Sequence, residues 1–101
     1  MKTLFISQCT EYEAGWGSKP DGVLISKTKE AMLAEIERIT KDESYQIFWR
    51  YTEPKETMCD DETYDKIDAL MAEIAQRCGK DRGLVEVSNG EFSKYNFYKK
   101  I

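Results

Sequence analysis

Two short apolar runs, Leu4-Phe5-Ile6 and Val23-Leu24-Ile25, stand on either side of a glycine-rich stretch at positions 11–22, Glu-Tyr-Glu-Ala-Gly-Trp-Gly-Ser-Lys-Pro-Asp-Gly. Each run is partly β-branched and reads as a strand buried on at least one face. Strands joined by about a dozen turn-forming residues pair antiparallel more readily than parallel, because a parallel pair needs a crossover element. The glycine stretch is then a shaped loop capping one end of a hairpin. Within it Pro20-Asp21-Gly22 reads as a tight turn, with Pro presetting φ, Asp bonding its own backbone and Gly free to take positive φ.

From Thr28 the period changes. Met32, Leu33, Ile36 and Ile39 make an apolar stripe, with Lys29, Glu30, Glu35, Glu37 and Arg38 opposite, so an amphipathic helix is expected to end near Lys41-Asp42. Ser26 or Thr28 supplies its N-cap oxygen. Tyr45 to Thr52 alternates, with Tyr45, Ile47, Trp49 and Tyr51 on one face, which argues for a strand that Pro54 ends or leaves on an edge. A second helix starts at Asp60-Asp61-Glu62, carries Ile67, Leu70, Met71, Ile74 and Cys78 as its apolar stripe, and stops at Gly79 after Arg77. Leu84-Val85-Glu86-Val87 and residues 91–98 flank Ser88-Asn89-Gly90, whose Asn-Gly pair predicts a closing β-hairpin.

The order is β-β-α-β-α-β-β. It predicts one α+β domain over residues 1–101, an antiparallel or mixed sheet with two helices packed on one face. The other face is then either solvated or used for self-association. With a strand as aromatic as 45–51, its apolar area exceeds what a monomer normally exposes, and a symmetric homodimer is expected.

A chain of 101 residues, 41% hydrophobic and 34% charged, can fold around one core without staples. Its net charge of −4 is unevenly placed. Residues 53–68 hold Glu53, Glu56, Asp60, Asp61, Glu62, Asp65 and Asp68 against Lys55 and Lys66, so duplex nucleic acid is a poor partner and a basic protein surface a better one. Three widely spaced cysteines, Cys9, Cys59 and Cys78, suggest reduced thiols and a cytoplasmic location. The apolar run of the opening Met-Lys-Thr-Leu-Phe-Ile is too short for a signal peptide, and no segment is long enough to span a bilayer.

Three groups of residues could carry function. Trp16, flanked by Gly15 and Gly17, could stack on a nucleobase while Tyr12 flanks it and Lys19 supplies charge; alternatively Trp16 folds back to plug the open end of the sheet. Arg50, with Tyr45, Trp49 and Tyr51, could form a stacking platform or pack in a core or subunit interface. Asp60, Asp61, Glu62 and Asp65 could occupy a partner's basic groove, or serve only as helix N-terminal charge on a solvated face. Adjacent acids without alternating oxygen ligands do not define a calcium site, and three thiolates without histidine leave zinc short of a fourth ligand. No histidine base, P-loop or Gly-x-Ser-x-Gly is present, so no catalytic residue and no cofactor are assigned.

Ala14-Gly15-Trp16-Gly17-Ser18-Lys19-Pro20-Asp21-Gly22 resembles a Gly-Trp-Gly, basic residue, Pro-Asp-Gly signature of small, mostly uncharacterised bacteriophage proteins. The likeness extends more faintly to Cys59-Asp60-Asp61-Glu62-Thr63-Tyr64, about two-thirds of the chain. Counter-defence factors are common among phage proteins of this build, some inhibiting CRISPR or other nuclease complexes and some, such as anti-Thoeris sponges, sequestering nucleotide signals. The resemblance implies a non-enzymatic binding protein that inhibits a host defence system, through a protein complex or a nucleotide signal. It carries no residue role. A minor hydrolase using carboxylate chemistry is the alternative.

Overall fold

The opening hairpin forms where the apolar runs require it, but it is much longer than they are. In the computed structural model, which describes residues 2–13, 17–40, 47–79 and 83–98, strand β1 spans Lys2–Glu13 and β2 spans Gly17–Ser26. They pair antiparallel from Phe5 opposite Ser26 to Glu13 opposite Gly17. Most of the expected loop is therefore strand. Pro20-Asp21-Gly22 is a β-bulge, not a turn: Cys9 pairs with Gly22 and Thr10 with Pro20, leaving Asp21 as the extra residue. A bulge is one of the few places where a sheet tolerates a residue without an N–H. Gly22 is required there, because at φ +148° an added Cβ would lie 2.8 Å from the Val87 carbonyl oxygen.

Along its other side β1 pairs with β3 (Ile47–Tyr51) and then β4 (Lys55–Cys59), both antiparallel. Cys9 lies opposite Tyr51 and Ile6 opposite Lys55, so Ser7 and Gln8 face residues 52–54. The two strands are one long strand interrupted at Pro54. Thr52 holds the interruption closed: its N–H donates to the Gln8 carbonyl at 3.0 Å, its Oγ1 accepts from Gln8 N at 2.9 Å, and its carbonyl accepts from the buried Ser7 hydroxyl at 2.5 Å. Pro54 thus ends β3 as expected, whereas β4 has no counterpart in the sequence reading.

The sheet order is β5-β2-β1-β4-β6, with β3 also on β1. Strand β5 (Leu84–Val87) pairs with β2, and β6 (Phe97–Tyr98) pairs with β4. The expected closing hairpin is absent, since β5 and β6 lie at opposite ends of the sheet. Asn89-Gly90 instead opens a short helix, α3 (Asn89–Phe92), because the Ser88 hydroxyl accepts from Glu91 N at 3.1 Å and caps it.

Helix α1 (Lys29–Thr40) is capped by Thr28, whose Oγ1 accepts from Ala31 N at 3.1 Å. Helix α2 (Asp61–Cys78) starts at Asp60 and ends at Gly79 in the left-handed conformation, φ 72°. Its Ile67 and Met71 pack with Leu4, Ile6, Val23, Ile25, Cys59, Val85 and Val87, which share one face of the sheet by strand alternation. Ser7, Cys9, Leu24 and Ser26 alternate onto the other face and are equally buried. That face is covered by α1, which contacts β1, β2 and β3 and buries Met32 completely. The helices therefore take opposite faces rather than one, which corrects the expectation from the sequence.

Three further corrections concern the helix stripes. Leu33 is 47% exposed, and Glu35, assigned to the solvent side, is 6% exposed and bonded to Arg38 Nε at 2.5 Å. Cys78, expected in the core, is exposed because α2 runs past the edge of its packed face before Gly79 ends it.

Candidate functional site

Past Cys9 the opening hairpin becomes an arm. Buried β1 positions stop at Cys9, Thr10 and Glu11 are half-buried, and Tyr12 is 37% exposed. The arm is three strands wide, because β3 runs beside β1 from Cys9 opposite Tyr51 to Glu13 opposite Ile47. Across it the register aligns Pro20, Thr10 and Arg50; Lys19, Glu11 and Trp49; Ser18, Tyr12 and Phe48.

This register sorts the residues expected to bind a ligand. Tyr12 alternates onto the same face as Thr10, and Arg50, directly opposite Thr10, belongs to that face as well. Tyr12 and Arg50 are diagonal neighbours, within the reach of aromatic and long side chains, and Arg50 is exposed. The position of Lys19 pairs with Glu11 and so falls on the opposite pleat. Trp16 and Tyr45 lie outside the described residues. The chain through 14–16 joins Glu13 to Gly17, the last pair of the arm. Trp49 pairs with Glu11 in register and Arg50 with Thr10, and the side chain of Trp49 lies outside the described ones.

The acidic group divides differently. Asp60 is committed to structure: its Oδ1 accepts from Thr63 N at 2.7 Å, and Asn96 N reaches Thr63 Oγ1 at 3.3 Å, tying the start of α2 to the segment before β6. Hydrogen bonds from the Thr63 side chain and backbone hold the Asp60 carboxyl below its ordinary range. Asp61, Glu62 and Asp65 are exposed. Glu62 pairs with Lys66 at 3.3 Å, and Asp68 pairs with Lys27. Both are surface ion pairs of small energetic worth, but they partly neutralise the segment.

Elsewhere the buried ionisable groups are tied up. The Glu35 carboxylate is bonded to Arg38, a helical i,i+3 pairing that a purely periodic reading overlooks although both residues are visible in the sequence. Burial, then the charges of Asp60 and Asp61, push the Cys59 thiol up and disfavour its thiolate. Among the described residues no group of three or more His, Cys, Asp or Glu could hold a metal ion, and no helix is long and apolar enough to cross a membrane.

Comparison with protein-family models, with curated proteins and with solved structures finds no match to this chain.

Proposed function

We propose that the chain is a small non-enzymatic binding protein of the phage counter-defence type, acting in the host cytoplasm by sequestering a nucleotide signal at the hairpin arm. The observation that carries this reading is the pairing of β1 with both β2 and β3 out to Glu13. The last pair of this three-stranded arm, Glu13 with Gly17, brackets residues 14–16 in the chain. A nucleotide needs a ring to stack its base and cations or backbone N–H groups for its phosphates. In this reading Trp16, adjacent in sequence to Gly17, is the ring, Tyr12 and Arg50 share one face of the arm, and Lys19 belongs to the neighbouring strand.

A test is to purify the protein from cells in which a nucleotide-signalling defence system is active, denature it, and analyse the released small molecules by mass spectrometry. A nucleotide released in near-stoichiometric amount is the expected result. No released nucleotide, together with no retention of any member of a panel of linear and cyclic nucleotides, contradicts the reading. Unchanged nucleotides after long incubation separate sequestration from the hydrolase alternative.

A second reading is inhibition by binding a defence protein or nuclease complex through Asp61, Glu62 and Asp65. Their exposure on the first two turns of α2 favours it. Reversing these three acids to Lys then abolishes inhibition, and full activity of the triple variant removes this reading.

A further inference from the structure

We propose that Asn89-Gly90 is a self-modification site: the Gly90 backbone nitrogen attacks the side-chain amide carbon of Asn89, and the product loosens the segment joining β5 to β6. A new N–C bond closes a five-membered imide while the C–N bond of the side-chain amide breaks. The leaving amide nitrogen takes the proton of the Gly90 nitrogen and departs as ammonia. Water then opens the imide at either carbonyl, giving aspartate or isoaspartate, with no oxidant or cofactor consumed. Asparagine is labile in this way only under certain conditions. Its amide must be held by nothing, the next backbone nitrogen must be out of a hydrogen bond, and the next residue must be small enough to let the two meet.

Asn89 and Gly90 meet all of these, and both are exposed. Ser88 caps α3 through the Glu91 N–H, and the Asn89 and Gly90 carbonyls accept from Ser93. Among the described residues no hydrogen bond engages the Gly90 N–H or the Asn89 side-chain amide, as the first N–H groups of a helix have no partner within it. An added Cβ at Gly90 would meet nothing within 4 Å, so no neighbour crowds the reacting atoms. A helix of one turn also opens easily, which lets the Asn89 backbone turn toward the geometry of attack. Asn96, the chain's other asparagine, is placed differently. Its side chain is hydrogen-bonded to the Asp60 carboxyl, and the nitrogen that follows it belongs to Phe97, a large residue paired with Cys59 in the sheet.

The consequence follows from position. Strands β5 and β6 lie at opposite ends of the sheet, and residues 88–96 connect them. Phe92 stacks on Phe97 at 5.1 Å, and both pack against the core. Aspartate at 89 keeps the backbone spacing and adds an acid to the first turn of α3, where it is favourable. Isoaspartate routes the backbone through the side-chain carbon. The methylene it adds between Ser88 and Glu91 takes the Ser88 hydroxyl out of register with the N–H that it caps. None of this depends on what the arm binds.

The test is to incubate the native full chain in mildly alkaline buffer, sample it over weeks, and follow its proteolytic peptides by mass spectrometry. The mass gain of an amide becoming an acid is expected at Asn89 and not at Asn96, with isoaspartate, detected by enzymatic methylation, among the products. Gly90→Ala, which the open space around Gly90 accommodates, is expected to slow the conversion about tenfold, since a Cβ hinders the attacking nitrogen. The isoaspartate form, separated by ion exchange, is expected to melt below the wild-type chain, and Asn89→Asp to melt like it. A native chain that stays unconverted at Asn89 overturns the proposal, whether or not the urea-unfolded chain converts. Conversion of Gly90→Ala at the wild-type rate, or an isoaspartate form that melts with the wild type, overturns it as well.

Discussion

At the scale of single residues, Gly22 and Asp60 show how much a local contact decides. Gly22 sits where the bulge brings β2 against the Val87 carbonyl, and backbone cannot retreat as a flexible side chain would. Gly22→Ala is expected to cost about 1–3 kcal/mol in chemical denaturation, from overpacking and the strained φ. Asp60 titrates below its ordinary value of 3.8 in the folded chain, so its cap stabilises fully above that value and is lost as pH falls through the depressed one. The stability difference between wild type and Asp60→Ala is therefore largest near neutral pH and shrinks in acid, which denaturation at several pH values will check. Among the thiols, Cys78 is exposed while Cys9 and Cys59 are buried. One equivalent of an alkylating reagent is expected to react with the native protein, at Cys78, and the others only on unfolding. The N-cap and C-cap of α2 were legible because Asp60 and Gly79 act through their own local chemistry. Burial of Glu35 and exposure of Cys78 were not, since each depends on where a helix crosses its neighbours.

At the scale of elements, what could be read depended on how local the determinant was. Helix α2 follows from its caps and stripe, and α1 from its stripe and Thr28. The hairpin was legible as a pairing but not in its length: glycine and proline signal a turn in isolation, whereas here β3 supplies a second ladder that keeps 10–13 extended and a bulge absorbs Pro20-Asp21. Strand β4, Lys-Glu-Thr-Met-Cys, has no apolar alternation to reveal it and exists because β1 and β6 flank it. At 88–91 the Ser-x-x-Glu spacing of a helix cap competed with the Asn-Gly hairpin signal and prevailed. The covering of both sheet faces gives a direct prediction. Leu24→Ala and Ile25→Ala, adjacent residues on opposite faces and both buried, should each cost about 2–5 kcal/mol. A sheet covered on one side only would lose stability at Ile25 alone.

At the scale of the whole molecule, the fold is a core with an extension. Its principal extents are 42 × 33 × 22 Å and its radius of gyration is 14.0 Å, against about 12.7 Å expected of a compact domain this size. The additional length is consistent with a hairpin arm whose paired strands continue beyond the packed residues of β1. The α+β class was legible because alternation and helical period separate cleanly along the chain. The arm was not, because its three strands meet only through pairing between positions some 40 residues apart, such as Cys9 and Tyr51. The proposed function rests on this arm: it claims that Trp16, one residue before Gly17 of the arm's last pair, stacks on a ligand and does not fold back as a plug.

The most direct test of that claim is equilibrium binding of a panel of linear and cyclic nucleotides to the wild-type, Trp16→Ala and Lys19→Ala proteins, with melting temperature measured on the same samples. The account predicts that Trp16→Ala weakens binding by about 1–3 kcal/mol, roughly 5- to 150-fold, with little change in melting temperature. It predicts that Lys19→Ala binds more weakly and with a shallower dependence on salt. A Trp16→Ala protein destabilised by about 3–5 kcal/mol, as loss of a buried plug would require, beside an unaffected Lys19→Ala protein would contradict it.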